Sequence, residues 1–83
     1  MAAITLRFFA AARSVAGTSQ TEIIVTEALS IQDALERTRT SAADYDAVMG
    51  RCSFLVNAVS ETDRLRRLSP GDVLDVLPPF AGG

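Results

Sequence analysis

The 83-residue sequence contains no histidine, and all eight of its cationic side chains are arginine, so it has no lysine either. Histidine is the commonest general base and a frequent metal ligand, and its absence removes the usual catalytic and zinc-binding arrangements. A chain without lysine also lacks a side-chain amine for a Schiff base or an isopeptide link. We therefore predict no metal site and no catalysis by side chains of this chain.

Cysteine, positive charge and long apolar runs are also scarce. Cys52 is the only cysteine, which excludes an internal disulfide and favours a cytoplasmic location. Because Cys52 alternates with apolar residues, we expect a small buried side chain rather than a thiol sulfur relay. The net charge of −2 offers no basic surface, and no apolar run of about 18 residues is present. We expect neither nucleic acid nor membrane as a partner.

The most informative stretch is the end of the sequence. It reads Leu77-Pro78-Pro79-Phe80-Ala81-Gly82-Gly83. Proline fixes φ and has no N–H, so the two prolines must leave any sheet and project in an extended form. Glycine has no side chain, so the last two residues suit a channel too narrow for others. We therefore divide the chain into a domain over 1–77 and an extended tail over 78–83, whose reach of at most ~20 Å suffices to carry a terminal carboxylate into another protein.

Apolar side chains near the tail indicate how such a partner would be held. Periodicity predicts strands over 4–8, 20–26, 52–59 and 73–77, and a very short strand near 64–65. It also predicts a helical turn over 10–16, a helix over 31–40 and a second helical turn over 45–49. In the first strand the even positions should face the core, so Phe9 falls on the opposite side. If the first and last strands lie side by side in the middle of the sheet, Phe9 and Leu77 form a docking patch beside the tail, and Phe80 is an anchor for a partner's pocket.

Other charged side chains form three small clusters. They are Asp44 with Asp46, Glu61 with Asp63, and Arg64 with Arg66 and Arg67. The acidic pairs are typical of solvated loops, and the arginine cluster is either a solvated face or a partner contact.

The group with the clearest chemistry is the carboxylate expected at Gly83. It is ionised at neutral pH, because its reference pKa is about 3.5, and it must be activated before acyl chemistry. A partner with a nucleotide site would let it attack the α-phosphate of ATP, giving an acyl-adenylate open to a sulfur or amine nucleophile. ATP would then be used by the partner, and this chain would bind no cofactor stably.

Four segments together resemble a known family. They are Leu6-Arg7-Phe8-Phe9-Ala10 with Arg13 and Gly17, Phe54-Leu55-Val56-Asn57, Leu68-Ser69-Pro70-Gly71-Asp72, and Pro78-Pro79-Phe80-Ala81-Gly82-Gly83. Over essentially the whole chain the sequence is similar to the MoaD/ThiS family of ubiquitin-like sulfur carriers, and the double proline points to the MoaD branch, the small subunit of molybdopterin synthase. The resemblance implies an α+β, ubiquitin-like β-grasp fold: a mixed sheet of four to five strands with one main helix on one face.

The same resemblance implies a set of partners. An E1-like, MoeB-like enzyme would adenylate Gly83, and a sulfur donor protein would convert it to a thiocarboxylate. A MoaE-like large subunit, which holds the catalytic residues, would pass the sulfur to a pterin precursor of the molybdenum cofactor. Three alternatives remain open: a carrier for thiamine, cysteine or tRNA thiolation, a ubiquitin-like modifier of lysines, and a non-covalent interaction module.

Overall fold

The computed structural model describes residues 2–79. Within this range three helices and seven strands follow one another as β1 (Ala3–Phe8), α1 (Ala10–Ala16), β2 (Gln20–Ile24), β3 (Leu29–Ser30), α2 (Ile31–Arg37), α3 (Tyr45–Arg51), β4 (Ser53–Val56), β5 (Val59–Glu61), β6 (Arg67–Leu68) and β7 (Val73–Leu77). Five strands form one sheet in the order β2-β1-β7-β4-β5, and β3 pairs with β6 in a small second sheet.

The first and last strands occupy the centre of the large sheet, as predicted. They run parallel, with Leu6 opposite Leu74 and Phe8 opposite Val76, whereas β1–β2, β4–β7 and β4–β5 are antiparallel. Alternation along β1 places Ile4, Leu6 and Phe8 in the core, where they join the buried side chains of all three helices in one cluster. The expected mixed β-grasp sheet of four to five strands is confirmed, with five strands and with three helices rather than one main helix.

The first helix follows β1 with a single residue between them. Its predicted span, Ala10–Ala16, is confirmed, and Ala12 and Val15 are buried. Ala10 has φ 49°, in the left-handed region, which turns the chain sharply out of the strand. Gly17, at φ 79°, ends the helix and donates its N–H to the Arg13 carbonyl, because glycine adopts this conformation without a Cβ clash.

The second helix begins as predicted and ends earlier. The Ser30 hydroxyl accepts a hydrogen bond from the Asp33 N–H at 3.0 Å, which caps the helix start. The helix stops at Arg37 instead of residue 40. Beyond it, the Thr38 hydroxyl donates back to the Ala34 carbonyl, and the Thr40 hydroxyl donates to a carbonyl of α1. These side-chain hydrogen bonds compete with a further helical turn.

The helical turn predicted before β4 is part of the third helix, which runs two residues further, to Arg51. Tyr45 and Met49 are its buried anchors. The Tyr45 hydroxyl donates to the Leu35 carbonyl at 2.9 Å, and burial raises the pKa of this phenol. The helix is thereby fastened to the end of α2.

The prediction of one strand over residues 52–59 was wrong. Asn57 and Ala58 both have positive φ, at 50° and 69°, and form a two-residue turn between β4 and β5 with Val56 opposite Val59. Paired positive φ values are typical of the type I′ turns that join antiparallel strands. The sequence carries Asn-Ala here instead of the usual Asn-Gly, so the turn signal was weak.

Two further strand boundaries differ from the prediction. The short strand expected near residues 64–65 lies at Arg67–Leu68, where it pairs with Leu29–Ser30. The second strand ends at Ile24 rather than at residue 26. A turn precedes the last strand, in which Gly71 has φ 96° and the Asp72 N–H donates to the Ser69 carbonyl. None of the helices between residues 2 and 79 is long and apolar enough to cross a bilayer.

Candidate docking face and tail root

One side of the large sheet is left uncovered by the helices, and we call it the open face. It carries the alternate residues of the three middle strands, together with Phe9 just after β1: Ala3, Thr5, Arg7, Phe9, Ser53, Leu55, Val73, Asp75 and Leu77. These positions follow from the strand period of two, because their neighbours point into the core. The open face is therefore a mainly apolar patch with one acidic and one basic residue in its middle.

Arg7 and Asp75 form a two-point ion pair across the central strands. The Arg7 Nε–H donates to Asp75 Oδ1 at 2.6 Å, and Nη2 donates to Oδ2 at 2.9 Å. Asp75 is only 6% exposed, whereas the Arg7 side chain is 47% exposed. The hydrogen bonds to Asp75 and its charge raise the pKa of the Arg7 guanidinium. The carboxylate thus holds the guanidinium in one orientation at the surface.

Phe9 occupies a position that normally carries a small polar residue. It is the N-cap of α1, with extended φ −122° and ψ 149° and no side-chain hydrogen bond to the helix. Serine, threonine, asparagine and aspartate are preferred there because they satisfy a free helix N–H. Phe9 remains 40% exposed, with the Arg7 guanidinium 6.0 Å from its ring centre. An exposed aromatic side chain in place of a cap contributes little to helix stability, which favours a role in binding.

Leu77 and the tail root lie at the same end of the sheet. The Phe9 N–H donates to the Val76 carbonyl at 3.2 Å, so continuing the parallel register places Phe9 beside Leu77, as predicted. Leu77 pairs with Ser53 on the other side, and Pro78 and Pro79 follow outside any strand. The tail thus starts from a strand held on both sides. The predicted tail residues Phe80, Ala81, Gly82 and Gly83 lie outside the described residues.

A groove runs between the tail root and the helices, and we call it the tail groove. Its volume is about 510 Å³, and its lining residues are Ala11, Asp44, Ala47, Val48, Arg51, Pro78 and Pro79. Sequence patterns did not indicate it, because residues from α1, α3 and the chain end meet only in the folded protein.

The start of β7 is fixed by a polar network that the sequence did not reveal. The Asn57 amide donates to Asp72 Oδ1 at 3.0 Å and accepts from the Val73 N–H at 2.9 Å. The Ser69 N–H donates to Asp72 Oδ2 at 2.8 Å. Burial opposes ionisation of Asp72, but these hydrogen bonds and the charge of Arg66 outweigh it and lower the pKa of the carboxyl group. Asn57 belongs to one of the segments that resemble the family, but the sequence assigned it no role. In the structure it links the β4–β5 turn to the central strand.

Cys52 is a buried core residue, as expected. Its Sγ–H donates to the Val48 carbonyl at 3.3 Å. Burial raises the pKa of the thiol, and the positive charge of Arg64 opposes this only in part. A buried, protonated thiol is a poor nucleophile, so Cys52 is unsuited to a sulfur relay.

The three arginines of the basic cluster have different surroundings. Arg64 lies with its guanidinium 4.7 Å from the Phe54 ring centre and donates to the Met49 carbonyl at 2.8 Å. Arg66 pairs with Glu61, and Arg67 belongs to the short β6 strand. Arg64 therefore has a structural role, in contact with the core and the end of α3.

Three of the four residues of the acidic pairs have local partners. Asp46 pairs with Arg39, whose hydrogen bonds lower the pKa of Asp46. Asp63 accepts from the Leu65 N–H, and Glu61 accepts from the Asp63 N–H. In the described part of the chain no group of three or more potential ligands is placed to hold a metal ion.

A mixed sheet with parallel central strands, a helical layer on one side and a tail leaving the central strand defines a ubiquitin-like β-grasp protein. The model of the ThiS family matches residues 6–83, and the chain belongs to this family. The match includes the tail, from the double proline to Gly83. No individually curated protein matches the sequence.

Solved structures share the fold over nearly the whole chain. A putative molybdopterin converting factor subunit 1 from Pyrococcus furiosus is similar with a TM-score of 0.76 and 22% identity, covering 96% of this chain and 100% of the other. Small archaeal modifier protein 1 from Haloferax volcanii gives 0.74 and 22%, with the same coverage. One chain of the complex between subunits 1 and 2 of molybdopterin-converting factor from Helicobacter pylori is similar with a TM-score of 0.66 and 21% identity. The match covers 98% of this chain and 99% of the other. At these identities the likeness shows the fold alone.

Proposed function

We propose that this chain is a sulfur carrier for molybdopterin synthesis. An E1-like enzyme joins a carboxylate oxygen of Gly83 to the α-phosphorus of ATP, and pyrophosphate leaves. A persulfide on a donor protein then attacks the acyl carbonyl and displaces AMP, which gives an acyl disulfide between the two proteins. A thiol reductant cleaves the S–S bond of this acyl disulfide and leaves a thiocarboxylate on Gly83. In the large synthase subunit this sulfur is transferred to a pterin precursor. The carrier supplies position, and its partners supply nucleotide, electrostatics and catalytic residues.

The observation that carries this proposal is that the family match extends through Gly83, while the tail leaves directly from the central strand. Leu77 is paired with β4 and stands next to the exposed Phe9, so the root of the tail has a fixed position beside an apolar patch. A rigid root is what a carrier needs, because each flexible residue before the reacting group adds an entropic cost to its placement. The name of the Helicobacter pylori complex, subunits 1 and 2 of a molybdopterin-converting factor, supports a large-subunit partner.

Intact-mass spectrometry tests the proposal. The chain is produced together with the adenylating enzyme and sulfur donor of its own organism, and we expect the mass increase of one oxygen exchanged for sulfur. Deletion of Gly83 should abolish this product and molybdenum-cofactor synthesis without unfolding the domain, because the central strand ends before the tail. Cofactor synthesis that continues without Gly83 would refute the carrier role.

A ubiquitin-like modifier is the second candidate, and one observation favours it. The fold is also that of small archaeal modifier protein 1, and the same adenylate intermediate serves amine acceptors. Since this chain has no lysine, it would attach as single copies and would not build lysine-linked chains on itself. Conjugates on a denaturing gel that carry one copy per acceptor lysine would support this function. A pterin-binding large subunit that co-purifies with the chain would instead support the carrier.

A further inference from the structure

The second strand forms one edge of the large sheet, with its outer backbone groups turned away from β1. Among the described residues β2 pairs only with β1. The Val25 N–H donates to the Ala2 carbonyl, so in the antiparallel alternation the odd-numbered residues of β2 face β1. The N–H and C=O groups of Gln20, Glu22 and Ile24 therefore point outward from the sheet.

Two residues of this edge are open to a further strand. The Thr18 hydroxyl donates to the Gln20 carbonyl and accepts from the Gln20 N–H, so the start of the edge is already closed. Glu22 and Ile24 are exposed, and they stand about 7 Å apart along the strand. Two donors and two acceptors at this spacing match the backbone of one extended segment. Strand β2 contains neither proline nor lysine, the residues that commonly protect an edge from pairing.

A groove follows the same edge on the helical side of the sheet, and we call it the β2 groove. It consists of two cavities of about 420 and 540 Å³, which are continuous because Ile24 and Arg37 line both. The smaller cavity has apolar lining from Phe8, Ala16 and Ile23. A strand added to β2 would therefore find a place for one apolar side chain beside the middle of the edge.

The larger cavity carries an excess of negative charge. Its charged lining residues are Glu27, Asp33, Glu36, Arg37 and Arg67. Within the described part of the chain Glu27 and Asp33 form no ion pair, and Glu36 has only Arg39 at 3.6 Å. Glu22 adds a further carboxylate at the rim of the smaller cavity. Charge complementarity therefore favours a basic occupant.

We propose that the β2 edge and the β2 groove together bind an extended basic segment of a partner protein as an added strand. Its backbone pairs with Glu22 and Ile24. One apolar side chain enters the smaller cavity, and a lysine or arginine two residues away, on the same side of the added strand, enters the larger one. A second copy of this chain is a poor occupant, because it brings the same carboxylates to the edge.

The site is separate from the tail root, since β1 lies between β2 and β7. A bound segment on the β2 groove leaves the open face and the tail free for other partners. The proposal therefore concerns a second partner surface, and it holds whether or not Gly83 ever carries sulfur.

Nuclear magnetic resonance of the isotope-labelled full-length chain tests this proposal with synthetic peptides. The probe is a blocked seven-residue peptide of threonines with valine third and arginine fifth, together with its reversed sequence, because either strand direction fits the edge. We expect saturable shifts of the Glu22 and Ile24 amide resonances, and none at Val59–Glu61 on the opposite edge of the sheet. A peptide with glutamate in place of arginine should bind at least ~10-fold more weakly. No saturable shift with either direction, equal binding of the acidic peptide, or larger shifts at Val59–Glu61 would overturn the proposal.

Two matched pairs of variants separate the backbone contacts from the charge. Ile24→Pro removes an outward N–H at a place where an edge strand tolerates proline, and Ile24→Thr keeps it. The proline variant should bind the basic peptide roughly 2- to 10-fold more weakly than the threonine variant. Glu27→Gln should likewise weaken binding, whereas Asp44→Asn, outside the β2 groove, should not.

The second pair decides the question if Ile24→Pro does not fold. Equal affinities of Glu27→Gln and Asp44→Asn for the basic peptide would refute the role of charge, and the proposal with it. Shifts at Glu22 and Ile24 that grow with protein concentration in the absence of peptide would identify a second copy as the occupant and would also refute it.

Discussion

Arg7 and Asp75 join the two central strands by a pair of hydrogen bonds at 2.6 and 2.9 Å, on the side of the sheet that α1, α2 and α3 leave uncovered. A nearly buried carboxylate is thus held under a half-exposed guanidinium in the middle of an apolar patch. A partner that covers the open face must desolvate this pair, which is costly unless it offers a matching acceptor. The pair therefore favours partners that place a hydrogen-bond acceptor opposite Arg7, and it disfavours partners that place only apolar groups there.

Removing one member of the pair should destabilise the domain more than removing both. Arg7→Met keeps an unbranched apolar stem but leaves the Asp75 carboxylate buried without its donors. We expect a clear fall in the urea midpoint of unfolding for Arg7→Met and recovery of most of it in Arg7→Met/Asp75→Leu, where no charge remains. A double variant as unstable as the single one would show that the pair is not the cause.

Phe9→Ser should separate binding from stability. Serine is a preferred N-cap, so its hydrogen bond to α1 offsets the lost apolar contact, and the free energy of unfolding should stay within ~0.5 kcal/mol of wild type. Affinity for the adenylating enzyme or the large subunit should fall at least ~10-fold if Phe9 is a binding hot spot. Val59→Ser, at an exposed position on the edge strand, is the control and should bind normally. If Phe9→Ser and Val59→Ser bind equally well, Phe9 does not contribute to docking.

Two substitutions in the β4–β5 turn should change the free energy of unfolding in opposite directions. Asn57→Ala removes the hydrogen bonds to Asp72 and to the Val73 N–H and should destabilise by about 1–2 kcal/mol. Ala58→Gly relieves a left-handed conformation at φ 69° and should stabilise by about 0.5–1 kcal/mol. Urea unfolding measures both. Destabilisation by Ala58→Gly would mean that the alanine methyl has a packing role.

Stability should depend on pH through Asp72. Its folded pKa is lower than its ordinary value of 3.8, so ionised Asp72 contributes stability above that value, which is lost as the pH falls through the folded pKa. Wild type should therefore exceed Asp72→Asn in stability near neutral pH, and the difference should shrink below about pH 4. Urea titrations at several pH values check this. A difference that stays constant down to pH 2 would assign the effect to side-chain shape rather than charge.

The Cys52 thiol should be unreactive in the folded protein. Its thiol is buried and hydrogen-bonded to Val48, so a disulfide reagent should label it only after unfolding. Cys52→Ala should cost about 1 kcal/mol of stability and leave thiocarboxylate formation unchanged. Rapid labelling of the native protein, or loss of the thiocarboxylate in this variant, would indicate a sulfur relay at this position.

Local patterns were sufficient for most of the elements. The alternation in β1 predicted which of its residues are buried. The serine cap of α2 and the glycine that ends α1 likewise act between residues close in sequence. The predictions were wrong where hydrogen bonds between residues far apart in the sequence compete with the local pattern. The Thr40 hydroxyl bonds to Val15 instead of continuing α2, and the Asn57 side chain fastens a turn to Val73 in a segment that the pattern predicted as one strand.

Sequence alone determined the fold class and the family, because strand and helix periods and the Pro-Pro to Gly-Gly ending are properties of neighbouring residues. It also placed Phe9 outside the core, since that follows from a period of two. Only the tertiary structure decided that Arg7 and Asp75 share one ion pair and that α1, α3 and the tail root enclose a groove. These features depend on which strands and helices meet in space. Hydrogen bonds and packing between residues far apart in the sequence produce no local sequence pattern from which they could be predicted.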